Sequence, residues 1–226
     1  MDFFWLKKNH HVCNQLYKYS TMVNTFYHKY LNLPFDFPKP KRFNQTPDGY
    51  TVLVDRDAIY PPFEEWINSL GLKISNVLEA FYTKPNGGRV PLHSDTSYMP
   101  GTHDICKLNF TWGPLDSTTQ WYRIKDESKL QKYEFGKEGA NKKFYDAGII
   151  PDIDIEYVLF ADLKDGELVY EAVIDRPSLL NISQLHTTWN PSSTEDRWTL
   201  CFTLLENGKL LTVERAAEIF KNYITE

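Results

Sequence analysis

Cys106-Lys107-Leu108-Asn109-Phe110-Thr111-Trp112 alternates apolar and polar side chains along its length. Successive side chains of a strand point to opposite faces, so a period of two marks a strand with one face on a core. Here Cys106, Leu108 and Phe110 make the apolar face, and Lys107, Asn109 and Thr111 make the other. Working outward, the same texture recurs at 77–83, 120–124, 157–162, 167–174, 179–182 and 198–205. With 104–112 that makes seven such stretches, read as about eight short strands with turns between most of them, the pattern of an antiparallel sandwich or barrel. Lys164-Asp165-Gly166 reads as a hairpin turn joining 157–162 to 167–174.

Helical periodicity flanks this β-rich stretch. Val12, Leu16, Tyr19, Val23, Phe26 and Tyr30 recur at three- and four-residue spacing and predict a helix over about 10–32, stopped by Pro34, Pro38 and Pro40. Pro61-Pro62 opens a second helix carrying Phe63, Trp66, Ile67 and Leu70, with Gly71 as its stop. Thr212 is the expected N-cap of a last helix whose apolar side is Val213, Ala216, Ala217, Phe220 and Ile224. The expected organisation is one domain over 1–226: helical support at 1–74, a β core at 75–206 and a C-terminal helix at 212–225. One stretch, from about 125 to 154, interrupts the strands with charges and with Gly136, Gly139 and Gly148. It is too long for an ordinary connection and is expected to be a lid or substrate-recognition segment.

Bulk properties bound the function. Of 226 residues, 42% are apolar, enough for a real core, and 14 Phe, 14 Tyr and 6 Trp favour strands and aromatic walls. A net charge of −5 with no long basic run argues against nucleic acid as the partner and leaves a small molecule or peptide. Three cysteines without a C-x-x-C pair suggest a reduced, cytoplasmic setting rather than a disulfide scaffold. No run approaches the roughly 18 apolar residues that span a bilayer. The acidic, briefly apolar start is not laid out as a secretory signal.

The chemistry-bearing pattern is His93-Ser94-Asp95, then far downstream His186, then Arg197. Two imidazoles and one carboxylate are a ligand set that leaves one face of a ferrous ion open. In a strand or strand exit His93 and Asp95 share a face. Arg197, opening a strand expected to pair antiparallel with the His186 segment, would anchor an acidic co-substrate through its planar fork. Of the other histidines, His10, His11 and His28 fall on the expected first helix. His103 is the rival ligand, disfavoured because its neighbour Asp104 faces away.

On these residues the chain resembles the Fe(II)/2-oxoglutarate-dependent dioxygenases of the prolyl-hydroxylase-like type. The stretches are Phe81-Tyr82-Thr83-Lys84-Pro85, Pro91-Leu92-His93-Ser94-Asp95, Lys107-Leu108-Asn109-Phe110, Leu180-Asn181-Ile182, His186, Asn190-Pro191 and Arg197. The resemblance covers roughly 75–206. It implies a mainly β chain with flanking α-helices, built on a double-stranded β-helix (jelly-roll) of eight strands. It also implies iron on His93, Asp95 and His186, 2-oxoglutarate on Arg197, and Tyr82 and Asn109 on pocket-lining strands. The expected outcome is hydroxylation of an unactivated C–H bond in an amino acid, peptidyl residue or small metabolite, with 2-oxoglutarate and dioxygen consumed and succinate and CO2 released. The alternatives are a zinc hydrolase on the same ligands and a non-catalytic binding module on the same scaffold.

Overall fold

The structure is a computed structural model that describes residues 26–95, 104–139, 142–153 and 155–225. Numbered in chain order, fifteen strands among the described residues form two antiparallel sheets. The first holds β1 (His28–Leu31), β2 (Thr51–Leu53), β3 (Lys73–Thr83), β6 (Cys106–Trp112), β11 (Ser178–Asn181), β13 (Arg197–Glu206), β14 (Lys209–Leu210) and β15 (Ile224–Thr225). The second holds β4 (Gly88–Arg89), β5 (His93–Ser94), β7 (Thr118–Ile124), β8 (Gln131–Glu134), β9 (Tyr157–Phe160), β10 (Gly166–Val173) and β12 (His186–Asn190). The architecture is the expected jelly-roll: mostly β, with few helices.

The alternation read from 106–112 organises the first sheet. On β3, β6 and β13 the even-numbered residues Leu78, Ala80, Tyr82, Leu108, Phe110, Trp198, Leu200, Phe202 and Leu204 join one buried core. Helix α1 (Pro61–Ser69) covers that core with Phe63, Trp66 and Ile67, and helix α3 (Val213–Ile219) adds Val213 and Ala216. Side chains of this size stabilise by roughly 1.5–3 kcal/mol each when fully buried. The odd-numbered residues of the same strands face the second sheet and form the site. A smaller core of Trp121, Ile174, Leu180 and Ile182 joins the two sheets beside it.

Two helix boundaries hold for the reasons given. Gly71 sits just past α1 at φ +77°, the left-handed region that glycine enters freely. The Thr212 hydroxyl accepts from the Arg215 N–H at 3.2 Å, capping α3.

Four expectations are corrected. Residues 28–31 are strand, not helix: β1 pairs with β11, and its carbonyls and amides are used in that ladder. His28 is therefore a strand residue, whereas residues 10–25 of the expected first helix, with His10, His11 and Cys13, lie outside the described residues. The C-terminal helix ends at Ile219, and Ile224–Thr225 returns as β15 against β1. Lys164-Asp165-Gly166 makes no hairpin: β9 pairs with β5 and β8, while β10 pairs with β7, so the turn carries the chain from one side of the second sheet to the other. Finally, β12 and β13 are not paired; they lie in opposite sheets.

The 125–154 stretch is built into the molecule. Its strand β8 forms the edge of the second sheet against β9. Its short helix α2 (Lys142–Asp146) buries Phe144. Asp152 ties it to β3, accepting from the Ser75 hydroxyl at 2.5 Å and the Asn76 N–H at 3.1 Å.

Candidate metal centre

Register places the two histidines. In the antiparallel second sheet His186 of β12 lies directly opposite His93 of β5, and the ring centroids are 4.6 Å apart. Asp95 follows β5, held by its N–H to the Ile182 carbonyl at 3.0 Å. The ligand atoms of His93, Asp95 and His186 lie within 4.8 Å of one another.

Each imidazole is aimed by its far nitrogen. His93 Nδ1 is 2.7 Å from the Pro91 carbonyl, and His186 Nδ1 is 2.9 Å from the Gln184 carbonyl. A carbonyl only accepts, so both Nδ1 atoms carry the proton and both Nε2 lone pairs face the centre. His93 Nε2 is buried without a hydrogen-bond partner. It stands 3.0 Å from Asp95 Oδ1. A cation held between Nε2 and Oδ1 would satisfy both buried atoms. Burial lowers His186 to about 4, which keeps it neutral and able to ligate. The donor set of two nitrogens and one carboxylate oxygen fits a ferrous ion.

Asp95 has a second anchor that the sequence reading missed. Lys107 Nζ donates to Asp95 Oδ2 at 2.8 Å, so Oδ2 is occupied and Oδ1 is the oxygen facing the histidines. Burial of Asp95 opposes its ionisation, but Lys107 together with His93 and His186 outweighs this and holds the carboxyl well below its usual range. Burial likewise opposes the Lys107 charge, yet Asp95 and Glu79 keep its amine above its ordinary value. A lysine on the inward face of a strand whose other face is core was the available signal: Lys107 is two residues from Asn109 and must share its face.

Arg197 sits deeper in the same cavity. A narrow cavity of about 20 Å³ is lined by His93, His186, Asn109, Thr119, Arg197 and Cys201, among others. Arg197 is 1% exposed. Its guanidinium donates to the hydroxyls of Thr199 at 2.9 Å and Thr119 at 3.4 Å, and Nε has no partner. Among the described residues no carboxylate pairs with it. Burial lowers its pKa to about 10, still charged at neutral pH. Gly113 makes room for it: at φ +143°, an added Cβ would stand 2.6 Å from the Asp196 carbonyl and 2.8 Å from Arg197 Cα. Asn109 also reaches the cavity, and its Oδ1 is buried without a partner.

Tyr82 is not brought there. It points into the helix-covered core, packs at a tilt against Trp198 and donates to Asp196 at 2.8 Å; its neighbour Phe81 faces the cavity instead. His103 lies outside the described residues, and Asp104 is engaged by the Asn181 and Gln184 amides. Arg197 and His186 share a cavity because their strands face each other across the two sheets, not because they pair.

On the other side of His93 and Asp95 the site opens into a larger cavity of about 740 Å³ including its mouth. Phe81, Val158, Phe160 and Ile182 wall it near the histidine, and Glu79, Lys107 and Lys143 supply its charges.

No family model and no curated protein matches the chain. Among solved structures it is similar to EvdMO1 at 12% identity and a TM-score of 0.31, over 85% of this chain and 42% of that one. It is also similar to an oxalate oxidase at 11% identity and a TM-score of 0.23, over 77% of this chain and 72% of that one. Neither superposition is close enough to bear on the reaction. Among the described residues no helix is long and apolar enough to cross a membrane.

Proposed function

We propose that the chain is an Fe(II)- and 2-oxoglutarate-dependent oxygenase that hydroxylates an unactivated C–H bond and releases succinate and CO2. The observation that carries this reading is the buried, counter-charge-free Arg197 in the same cavity as His93 and His186, which converge with Asp95. A fully desolvated guanidinium is costly unless an anion completes it. A dicarboxylate with one end on the metal and the other on Arg197 would do so. His93, Asp95 and His186 would hold the iron, and Lys107 would keep Asp95 presenting one oxygen. Bound iron and 2-oxo acid supply the oxidising chemistry; the protein orients them and keeps the deep cavity dry. Asn109, with its unpartnered Oδ1, lines the same cavity and would orient the co-substrate through its amide.

Adding Fe(II) and 2-oxoglutarate to the protein under anaerobic conditions tests this directly. The expected result is a weak visible metal-to-ligand absorption band, absent in His93→Ala and displaced or lost in Arg197→Ala. A protein that binds zinc tightly and develops no such band is a hydrolase or a binding module instead.

A further inference from the structure

The outer cavity carries a pattern of charge that the metal centre does not explain. From the metal ligand outward the charges alternate. Lys107 Nζ is 2.8 Å from Asp95 Oδ2 and 4.0 Å from Glu79 Oε2, and Lys143 Nζ is 2.5 Å from Glu79 Oε1. The inner two groups are locked: Lys107 is 8% exposed and Asp95 11% at the side chain. The outer pair is looser, since the Lys143 side chain is 36% exposed and reaches in from α2, while Glu79 is fixed on β3. Between this pair and the histidines the walls are apolar: Phe81 and Phe160 each lie 5.8 Å from the His93 ring, with Val158 and Ile182 beside them.

A ligand for such a cavity has an apolar body and a head bearing both signs of charge. An anion alone would face Glu79, and a cation alone would face Lys107 and Lys143. A zwitterion inserted between Glu79 and Lys143 replaces one ion pair by two, its ammonium donating to Glu79 and its carboxylate accepting from Lys143. From the proposed function and these contacts, we infer that the outer cavity binds a free α-amino acid with an apolar side chain, the side chain directed at the metal centre by Phe81 and Phe160. The insertion then serves specificity: its Lys143 holds the head group, and Phe135 and Phe144 line the same cavity. A peptide-linked residue lacks both head charges and would leave Glu79 and Lys143 paired with each other.

Calorimetric titration tests this on the metal-free protein and on protein loaded with Ni(II) and 2-oxoglutarate. The probes are L-leucine, L-phenylalanine, N-acetyl-L-leucine and L-leucinamide. The free amino acids are expected to bind about tenfold or more tightly than either blocked derivative, because each block deletes one charge-assisted contact. Glu79→Gln should remove the penalty for N-acetylation, and Lys143→Met the penalty for amidation, each with circular dichroism unchanged. Equal affinity for free and blocked leucine, or no binding of either amino acid to either form, overturns the inference. So does a pair that matters only for docking, in which both variants melt earlier but keep the wild-type preference. Binding to the metal-free protein separates the two readings: a missing 2-oxoglutarate band with amino-acid preference intact refutes the oxygenase reading and leaves the head-group site standing.

Discussion

Replacing Arg197 with Met keeps most of its volume and removes only the charge and the fork. The guanidinium has five N–H donors; Thr199 and Thr119 take one each, so a fork remains for a carboxylate. Hydrogen bonds to a charged partner are each worth about 1.5–3 kcal/mol net. Allowing for partial replacement by water, losing the bidentate pair should cost about 3 kcal/mol, on the order of a hundredfold in affinity for 2-oxoglutarate. A second signature follows from burial. The wild-type protein without ligand carries an unpaired charge at 1% exposure, so Arg197→Met should not destabilise it. Ligand at a hundred times Kd adds about 2.7 kcal/mol of stability. For a chain of this size that raises the melting temperature by roughly 5–10 °C in the wild type and hardly at all in the variant at the same concentration. The assay is a thermal melt with Ni(II) and either 2-oxoglutarate or 2-oxobutyrate, which chelates identically but has no distal carboxylate. Wild type should prefer 2-oxoglutarate strongly, Arg197→Met should not discriminate, and Arg197→Lys should fall between. A variant that keeps the wild-type preference would falsify the assignment of Arg197.

His93→Ala and His186→Ala should each abolish Co(II) binding in a visible-absorbance titration while leaving the circular dichroism unchanged; if His103→Ala does so and His93→Ala does not, the ligand set is wrong. Lys107→Met should retain metal but weaken 2-oxoglutarate and 2-oxobutyrate alike by about tenfold, because a freed Asp95 Oδ2 can compete for the metal; an unaltered Co(II) spectrum would count against that role. Gly113→Ala should lower both stability and 2-oxoglutarate affinity, since its Cβ would meet the Asp196 carbonyl and Arg197 Cα; wild-type affinity in this variant would show that Arg197 tolerates displacement. Phe144→Ala, which empties a buried position at 2% exposure, should cost about 3–5 kcal/mol in denaturant unfolding, whereas an insertion merely lying on the surface would lose almost nothing.

The strand alternation and the His-x-Asp…His…Arg order could be read from sequence because each is set by local geometry. A period of two fixes which residues share a face before any partner strand is known. Where the reading failed, the deciding force was tertiary. Phe26 and Tyr30 fit a helical stripe, yet the register with β11 makes 28–31 a strand. Lys164-Asp165-Gly166 has hairpin chemistry, but the chain crosses the sheet there because β9 and β10 have different partners. Tyr82 followed the resemblance, while parity alone puts Phe81 on the side of Asn109 and Arg197, since β3 and β6 flank β13 in register. The contacts of Lys143 and Glu79 could not be foreseen, as they depend on how a long insertion docks.

On β3, β6 and β13 the odd positions 77, 79, 81, 107, 109, 197, 199, 201 and 203 belong to the cavities, and the even positions 78, 80, 82, 108, 110, 198, 200, 202 and 204 to the helix-covered core. Two messages are thus written on the same three strands in alternate letters. Selection on what the cavity accepts falls on positions such as 79, 81, 107 and 109, and selection on folding falls on 78, 80, 108 and 110. The two can drift at different rates. A lineage of such chains can exchange its substrate while its interior stays still, and overall sequence likeness would then under-report kinship of fold and over-report kinship of chemistry.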